Sequence, residues 1–135
     1  MTGGGTASFV LSEREGSFEI VAQVNAVGRD LEVNLFGGVA HIGAVGLAEP
    51  RQSLKNPEDW SATGSVFTFL THKEDGIAKP MAEELARRLR RKVVVVAGMH
   101  WDGLDAAGIE TVGKLCRRMG ERIIEEAEKA WKKSS

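Results

Sequence analysis

Apolar and polar residues alternate with a period of two in the first third of the chain, which predicts β-strands. Residues 18–27 and 31–35 both follow this pattern, with apolar residues at every second position. Gly28-Arg29 lies between them, where glycine permits the positive φ of a tight turn. The pattern therefore predicts an antiparallel hairpin. After Gly37-Gly38, residues 40–47 alternate again and predict the third strand of a meander.

The middle of the chain has the pattern of a strand, a helix and a second strand. Residues 65–70 are apolar on both sides, which is typical of a central strand covered on both faces. In the helix that follows, apolar residues recur every four positions, and Gly76 and Pro80 indicate that its regular part begins near Lys79. Residues 93–97 form a second buried strand by composition. Because such a unit has a right-handed crossover, its two strands are expected to be parallel.

A last helix is expected to begin at Asp105, which has the side chain of an N-cap. Its apolar stripe recurs at intervals of three and four residues and comprises Ile109, Val112, Cys116, Met119 and Ile123. We expect residues 1–15 to be a flexible segment, 16–131 a single domain and 132–135 a frayed tail.

Composition narrows the classes of function. The chain has 135 residues, of which 42% are apolar and 27% charged, as in a soluble globular domain. Its net charge of −1 and the lack of a long basic run argue against a nucleic-acid partner. Cys116 is the only cysteine, so no intramolecular disulfide can form, which fits a reducing cytoplasm. No apolar run approaches the roughly 20 residues of a membrane span, and we expect a cytoplasmic protein without a membrane partner.

The three histidines of the chain are candidate ligand groups. His72 and His100 follow the two parallel strands, at the sheet edge where the helix N-termini favour anions. His41 lies in a third stretch with Gly43 and Gly46, where the missing side chains indicate that something approaches the backbone. That neighbour is either a ligand or, as the alternative, a bulge or a closely crossing helix.

Residues 48–64 follow neither period and are expected to form a long loop. Arg51, Ser53 and Lys55 within it can bind an anion, or they are solvated loop residues. No phosphate loop, dinucleotide fingerprint or zinc-protease motif occurs, and the histidine spacing does not support a metal site. The serines lack a nucleophile-elbow sequence. These observations favour a binding protein over an enzyme.

Five segments in order carry a resemblance to a known family. Residues 38–45, 48–55, 61–63, 72–75 and 97–102 resemble the prenylated-flavin chaperone family, also described as LpdD-like and formerly as a component of gallate decarboxylase. The resemblance covers roughly residues 16–127. It implies a fold similar to proteasome-assembly chaperones. It also implies binding of reduced prenylated flavin mononucleotide (FMN), or of plain FMN, and its delivery to a decarboxylase.

Together these arguments predict a mixed α/β domain in which a meander joins a βαβ unit and the helices pack on one sheet face. The predicted function is a noncatalytic flavin carrier whose partners are a prenylated-flavin-dependent decarboxylase and a flavin prenyltransferase. The alternatives are an assembly chaperone without a small ligand and a small enzyme for a phosphorylated substrate. A homodimer is expected because an apolar sheet face and an unpaired edge need cover. With the resemblance, the candidate cofactor-binding residues are His41, Gly43, Arg51, Ser53, Ser61, Thr63, His72, Lys73, His100 and Asp102.

Overall fold

The computed structural model describes residues 8–69 and 75–134. Within these ranges six strands form one mixed sheet, and two helices pack on one of its faces. The elements are β1 (Ser8–Glu15), β2 (Phe18–Val27), β3 (Asp30–Gly38), β4 (Ala44–Gln52), β5 (Trp60–Thr68), α1 (Asp75–Leu89), β6 (Val93–His100) and α2 (Ala106–Ser134). The strand order is β1-β2-β3-β6-β4-β5, and the predicted α/β class is confirmed.

Strands β1, β2 and β3 form an antiparallel meander at one side of the sheet. The predicted hairpin of β2 and β3 is present, and Gly28 in its turn has φ of 60°. The expectation that residues 1–15 are flexible is wrong for residues 8–15, because β1 pairs with β2 along its whole length. Its Leu11 is buried against the core, which supplies the apolar contact that orders this strand.

The prediction that β4 pairs with β3 is wrong, because β6 lies between them. Strand β6 is parallel to β3 and antiparallel to β4. The chain leaves β3, crosses over the end of β6 in residues 39–43 and then begins β4 at Ala44. Two backbone hydrogen bonds hold this crossing: Val39 N donates to His100 O and Gly43 N donates to Ala97 O.

Strands β4 and β5 form a hairpin whose loop is shorter than predicted. Strand β4 extends to Gln52 and β5 begins at Trp60, so only residues 53–59 connect them, and not 48–64. Strands β5 and β6 run in the same direction, as predicted, but β4 separates them. Strand β5 is therefore an edge strand with one uncovered face, and Phe67 is 62% exposed, contrary to the expectation of a central strand.

Helix α1 begins at Asp75, four residues before the predicted start at Lys79. Pro80 is tolerated near the helix start because only the amide that would bond to Gly76 is lost. The helix crosses β4 at Gly46, where an added Cβ would collide with the carbonyl of Ala78. Of the two interpretations of Gly46, the close helix crossing is therefore correct.

Helix α2 has the predicted N-cap, since the Asp105 carboxylate accepts a hydrogen bond of 2.8 Å from Gly108 N. Most of the predicted stripe is buried against β1 and β2, but Ile109 is 61% exposed because it lies in the first turn, on the solvent side. The core between the sheet and the helices has as its largest buried side chains Ile20, Leu35, Leu85, Leu115, Met119, Ile123 and Ile124.

The two helices of the described ranges leave the other side of the sheet uncovered, and we call this side the open face. Strand alternation and the cross-strand register place the following residues on it: Ser8, Val10, Ser12, Arg14, Glu19, Val21, Gln23, Asn25, Val27, Glu32, Asn34, Phe36, Val45, Leu47, Glu49, Arg51, Ser61, Thr63, Ser65, Phe67, Val94, Val96 and His100. This face remains exposed although several of its side chains are large and apolar.

Candidate functional site

His41 lies in the segment that crosses over β6. Its carbonyl oxygen occupies the position that a Cβ of Gly98 would need, so the crossing requires glycine there. The Nδ1–H of His41 donates a hydrogen bond of 3.2 Å to Val39 O, which orients the ring within the segment. Gly43 is buried at the end of this segment, and its carbonyl accepts a hydrogen bond from Phe69 N.

His100 is the last residue of β6 and lies beside the same crossing. Its Nε2–H donates to Oδ1 of Asp102 at 3.0 Å, and its side chain is 58% exposed. The following Trp101 fits against Gly37 and Gly38, where side chains would collide with the indole ring. His41, Gly43, His100 and Asp102 therefore come together at one end of the open face, which we call the histidine end.

Arg51 and Thr63 are neighbours on strands β4 and β5. The Nε–H of Arg51 donates a hydrogen bond of 2.9 Å to Oγ1 of Thr63, and Nη1 donates to Gln52 O at 3.2 Å. Ser61 is the cross-strand partner of Arg51, and Glu49 is that of Thr63. Arg51 keeps donors free for an additional acceptor because a guanidinium has five N–H groups. Glu49, Arg51, Ser61 and Thr63 form what we call the arginine end of the open face.

A polar cavity of about 520 Å³ opens beside the arginine end. The guanidinium of Arg90 lies over the ring of Trp60, 4.8 Å from its centroid, and Arg90 has φ of 57°. Ser53 accepts hydrogen bonds from the amides of Lys55 and Asn56 in the hairpin loop. The residues around the cavity are Ser53, Glu58, Asp59, Trp60, Ser61, Arg87, Arg88 and Arg90. The sequence interpretation treated these arginines only as a helix end.

The structure does not bring all candidate residues into one site. Arg51 follows Gly43 by eight residues along an extended strand, so the histidine and arginine ends are about 25 Å apart. His72 and Lys73 lie outside the described residues. A single phosphate therefore cannot contact both ends, and the candidates that the structure describes divide into two groups. Those with side chains on the open face nevertheless share one surface.

An apolar floor connects the two ends. It is formed by β6, β4 and β5, and Phe67 and Phe69 contact each other edge to face with centroids 5.1 Å apart. The floor residues are Val45, Leu47, Phe67, Phe69, Val94 and Val96. Sequence analysis did not identify them as site residues, because Phe67 was expected to be buried. Alternation of Phe67 and Phe69 with polar Thr68 was the signal for an edge strand with one exposed apolar side.

Other reactive groups offer little chemistry. Cys116 is buried between the helices, and burial raises the pKa of its thiol to about 12, so that it remains protonated. Among residues 8–69 and 75–134, no cluster of three or more potential metal-binding side chains occurs. None of the helices within these ranges is long and apolar enough to span a membrane.

A mixed six-stranded sheet with two helices on one face and an exposed opposite face is the fold of a known class of chaperone. The structure is similar to a chain of the solved chaperone complex for yeast 20S proteasome assembly, with a TM-score of 0.58 and 13% sequence identity. The similarity covers 90% of this chain and 96% of the other. At this identity it establishes the fold alone.

The sequence profile of the prenylated flavin chaperone LpdD-like domain matches residues 14–128. The chain therefore belongs to this family, and the resemblance found in the sequence is confirmed. A comparison with curated protein sequences finds no match.

Proposed function

We propose that this protein holds reduced prenylated FMN on the open face and assists its delivery to a prenylated-flavin-dependent decarboxylase. The observation that carries the proposal is the placement of His100, Arg51 and Thr63 on one exposed face, with an apolar floor between them. A flavin combines a flat ring system with a phosphate. An apolar surface bordered by hydrogen-bond donors matches both parts.

The ring system fits the floor by its chemistry. Phe67 and Phe69 offer aromatic surfaces, and offset or edge-to-face contacts with an aromatic ring are worth about 0.5 to 1.5 kcal/mol beyond the area they bury. Val45 and Leu47 continue the apolar surface on β4. These contacts place no reactive group against the ring, which is appropriate for a carrier that preserves its ligand.

The polar ends supply the directed contacts. Arg51, already oriented by Thr63, is suited to a phosphate, since guanidinium–phosphate hydrogen bonds are charge-assisted. Glu49 lies two residues away on the same face, so a bound phosphate would sit on the side of Arg51 that points away from this carboxylate. His100, oriented by Asp102, is suited to a ring carbonyl or a phosphate.

Both ends favour binding over turnover. Within the described ranges, neither end combines a nucleophile, a base and an oxyanion site, which acyl or phosphoryl transfer would need. Delivery requires that the ligand leave again, and an open surface allows a partner protein to approach it directly. The decarboxylase is therefore the recipient, a flavin prenyltransferase the source, and a homodimer the working form.

The exposed apolar floor also fits a second function, that of an assembly chaperone which contacts its client protein without a small ligand. Phe67 and Leu47 are the observation that favours it, because both expose a large apolar side chain on the same face. This function differs from the first in needing no flavin.

Anaerobic titration with reduced prenylated FMN, and separately with reduced FMN, tests the proposal. We expect saturable binding by the wild type and binding weakened about tenfold or more by Phe67→Ser, because the aromatic contact is lost. Lys129→Ala, on an exposed part of α2, serves as the control and should bind as the wild type does.

A coupled assay follows activation of an apo-decarboxylase by the loaded protein. Activation that depends on flavin loading supports the carrier. Activation without any flavin binding would instead support the ligand-free assembly chaperone. Turnover of the decarboxylase substrate by the isolated protein would contradict both.

A further inference from the structure

The open face has two dissimilar halves. On β2 and β3, Glu32 accepts hydrogen bonds from the side chains of Asn25 at 2.9 Å and Asn34 at 3.4 Å, so this half is polar and internally satisfied. On β6, β4 and β5 the side chains between the two ends are apolar, apart from Ser65. Leu47 is 45% exposed and Phe67 62% exposed on this apolar half.

The dimensions of the open face match one side of a stable protein interface. Six strands spaced ~4.8 Å apart and eight or more residues long, at ~3.3 Å per residue, give a face of roughly 29 Å by 26 Å. Its projected area is about 750 Å², close to the ~800 Å² that each partner buries in a standard interface. The apolar half supplies the dry core of such an interface and the polar half its hydrated rim.

The charge pattern favours a second copy of this chain as the occupant. Among the residues that the structure describes, no charged side chain lies on the apolar half between the two ends, so two identical copies meet there without like-charge repulsion. At the arginine end, Glu49 and Arg51 balance each other in charge. A contact between identical faces is isologous and closes as a two-fold dimer. Because β4 is the middle strand of the apolar half, its residues lie nearest to the two-fold axis.

We propose that a second copy of this chain covers the open face, with β4 of one protomer over β4 of its partner. The proposal rests on the homodimer proposed above and names its surface. A flavin on the floor is then enclosed between the protomers, and its release requires the copies to separate or to yield to the recipient protein.

The sheet edge at β5 offers the competing arrangement. The β1 edge is covered, since Arg122 donates to Ser12 O at 2.7 Å and Arg118 to Arg14 O at 3.4 Å. Strand β5 has no charge or proline to block pairing with another strand. The hydrogen bond from Phe69 N to Gly43 O directs odd-numbered amides of β5 towards β4, so the amide of Ala62 points outward.

Cysteine cross-linking and mass measurement on flavin-free protein test the proposal. The protomer has a mass of 14.6 kDa, and we expect the wild type to have twice this mass by light scattering. Leu47→Cys should form a disulfide-linked dimer on mild oxidation, because β4 meets its own copy. Ile109→Cys, 61% exposed on α2, is the matched control and should remain unlinked. The buried Cys116 does not compete.

Two further variants separate the face from the edge. Phe67→Lys should yield a folded monomer, because it buries a charge in the apolar core of the interface. Ala62→Pro removes an outward amide without breaking the β4–β5 ladder and should remain a dimer. A monomeric wild type, a dimeric and folded Phe67→Lys, or a monomeric and folded Ala62→Pro would each overturn the proposal. If Phe67→Lys does not fold, the Leu47→Cys result decides.

Flavin titration of the same proteins keeps this inference distinct from the proposed function. A monomeric wild type that binds flavin overturns the dimer alone. A dimer linked through Leu47→Cys that binds no flavin overturns the carrier alone.

Discussion

The carbonyl oxygen of His41 lies directly against the Cα of Gly98, on the open face of the sheet. This contact lets the chain pass from β3 over the end of β6 and pair with its other side as β4. It also fixes His41 close to His100, since His100 follows Gly98 by two residues and its carbonyl accepts the amide of Val39. The histidine end of the open face is thus a consequence of one glycine.

Gly98→Ala should destabilise the protein by about 3 kcal/mol or more. The added methyl group would collide with backbone atoms of His41 that hydrogen bonds hold in place, so the crossing would have to move. Urea unfolding measures the effect, together with loss of the soluble fold in the severe case.

Gly120→Ala is the matched control for this prediction. Gly120 lies inside α2, and an added Cβ would meet nothing within 4 Å. This variant should stabilise the protein by about 0.5 to 1 kcal/mol, because alanine favours the helix more than glycine does. Equal effects of both substitutions would contradict the crossing as described.

Local patterns predicted most elements, but they did not predict the order of the strands. The alternation in β2 and β3 and the cap at Asp105 each depend on neighbours in sequence, and both predictions are confirmed. The insertion of β6 between β3 and β4 depends on a contact between His41 and Gly98, 57 residues apart in the numbering. Sequence periodicity carries no information on such a contact.

The stability of the β1–α2 contact should depend on pH through Glu13. Arg118 Nε and Arg122 Nη1 each donate a hydrogen bond of 2.8 Å to this carboxylate. The hydrogen bond from Arg122, opposed by burial and reinforced by Arg118, lowers the pKa of Glu13 from its ordinary value of 4.5. Because the folded-state pKa is lowered, this stabilisation is present above pH 4.5 and is lost as the pH falls through the lowered pKa.

Glu13→Gln should therefore cost about 1 kcal/mol at neutral pH, since both arginines are partly exposed and water screens the pairs. The difference from the wild type should disappear near pH 3 (roughly, from the linkage relation). Denaturant unfolding at both pH values measures it, with the exposed Glu128→Gln as control. A constant difference across this range would exclude the carboxylate charge as its origin.

Cys116 should be unreactive in the folded protein. Its side chain is 6% exposed, and burial raises the pKa of the thiol to about 12, so little thiolate forms at pH 8. Labelling with a chromogenic disulfide reagent should be at least about tenfold slower in buffer than in denaturant. Rapid labelling of the native protein would mean that the two helices separate readily.

The candidate site was only partly predictable for a related reason. Residue types suited to anion binding were identified at Arg51, Ser61 and Thr63, and their mutual proximity follows from the β4–β5 hairpin. The distance from them to His100 follows from the antiparallel pairing of β4 with β6, which places the end of β4 at the start of β6. Sequence order alone suggested one site where the sheet has two separate ends.

The two ends can be distinguished by their effect on phosphate recognition. If the flavin phosphate binds at the arginine end, as the sequence suggested for Arg51, then Arg51→Ala should weaken FMN binding about tenfold or more. A charge-assisted hydrogen bond is worth roughly 1.5 to 3 kcal/mol. The same substitution should hardly change the binding of riboflavin, which has the ring but no phosphate. His100→Ala should then weaken both ligands alike, through the ring. The opposite pattern, in which His100→Ala selectively weakens FMN and Arg51→Ala affects neither ligand, would place the phosphate at the histidine end, because only the group that contacts the phosphate can distinguish the two flavins.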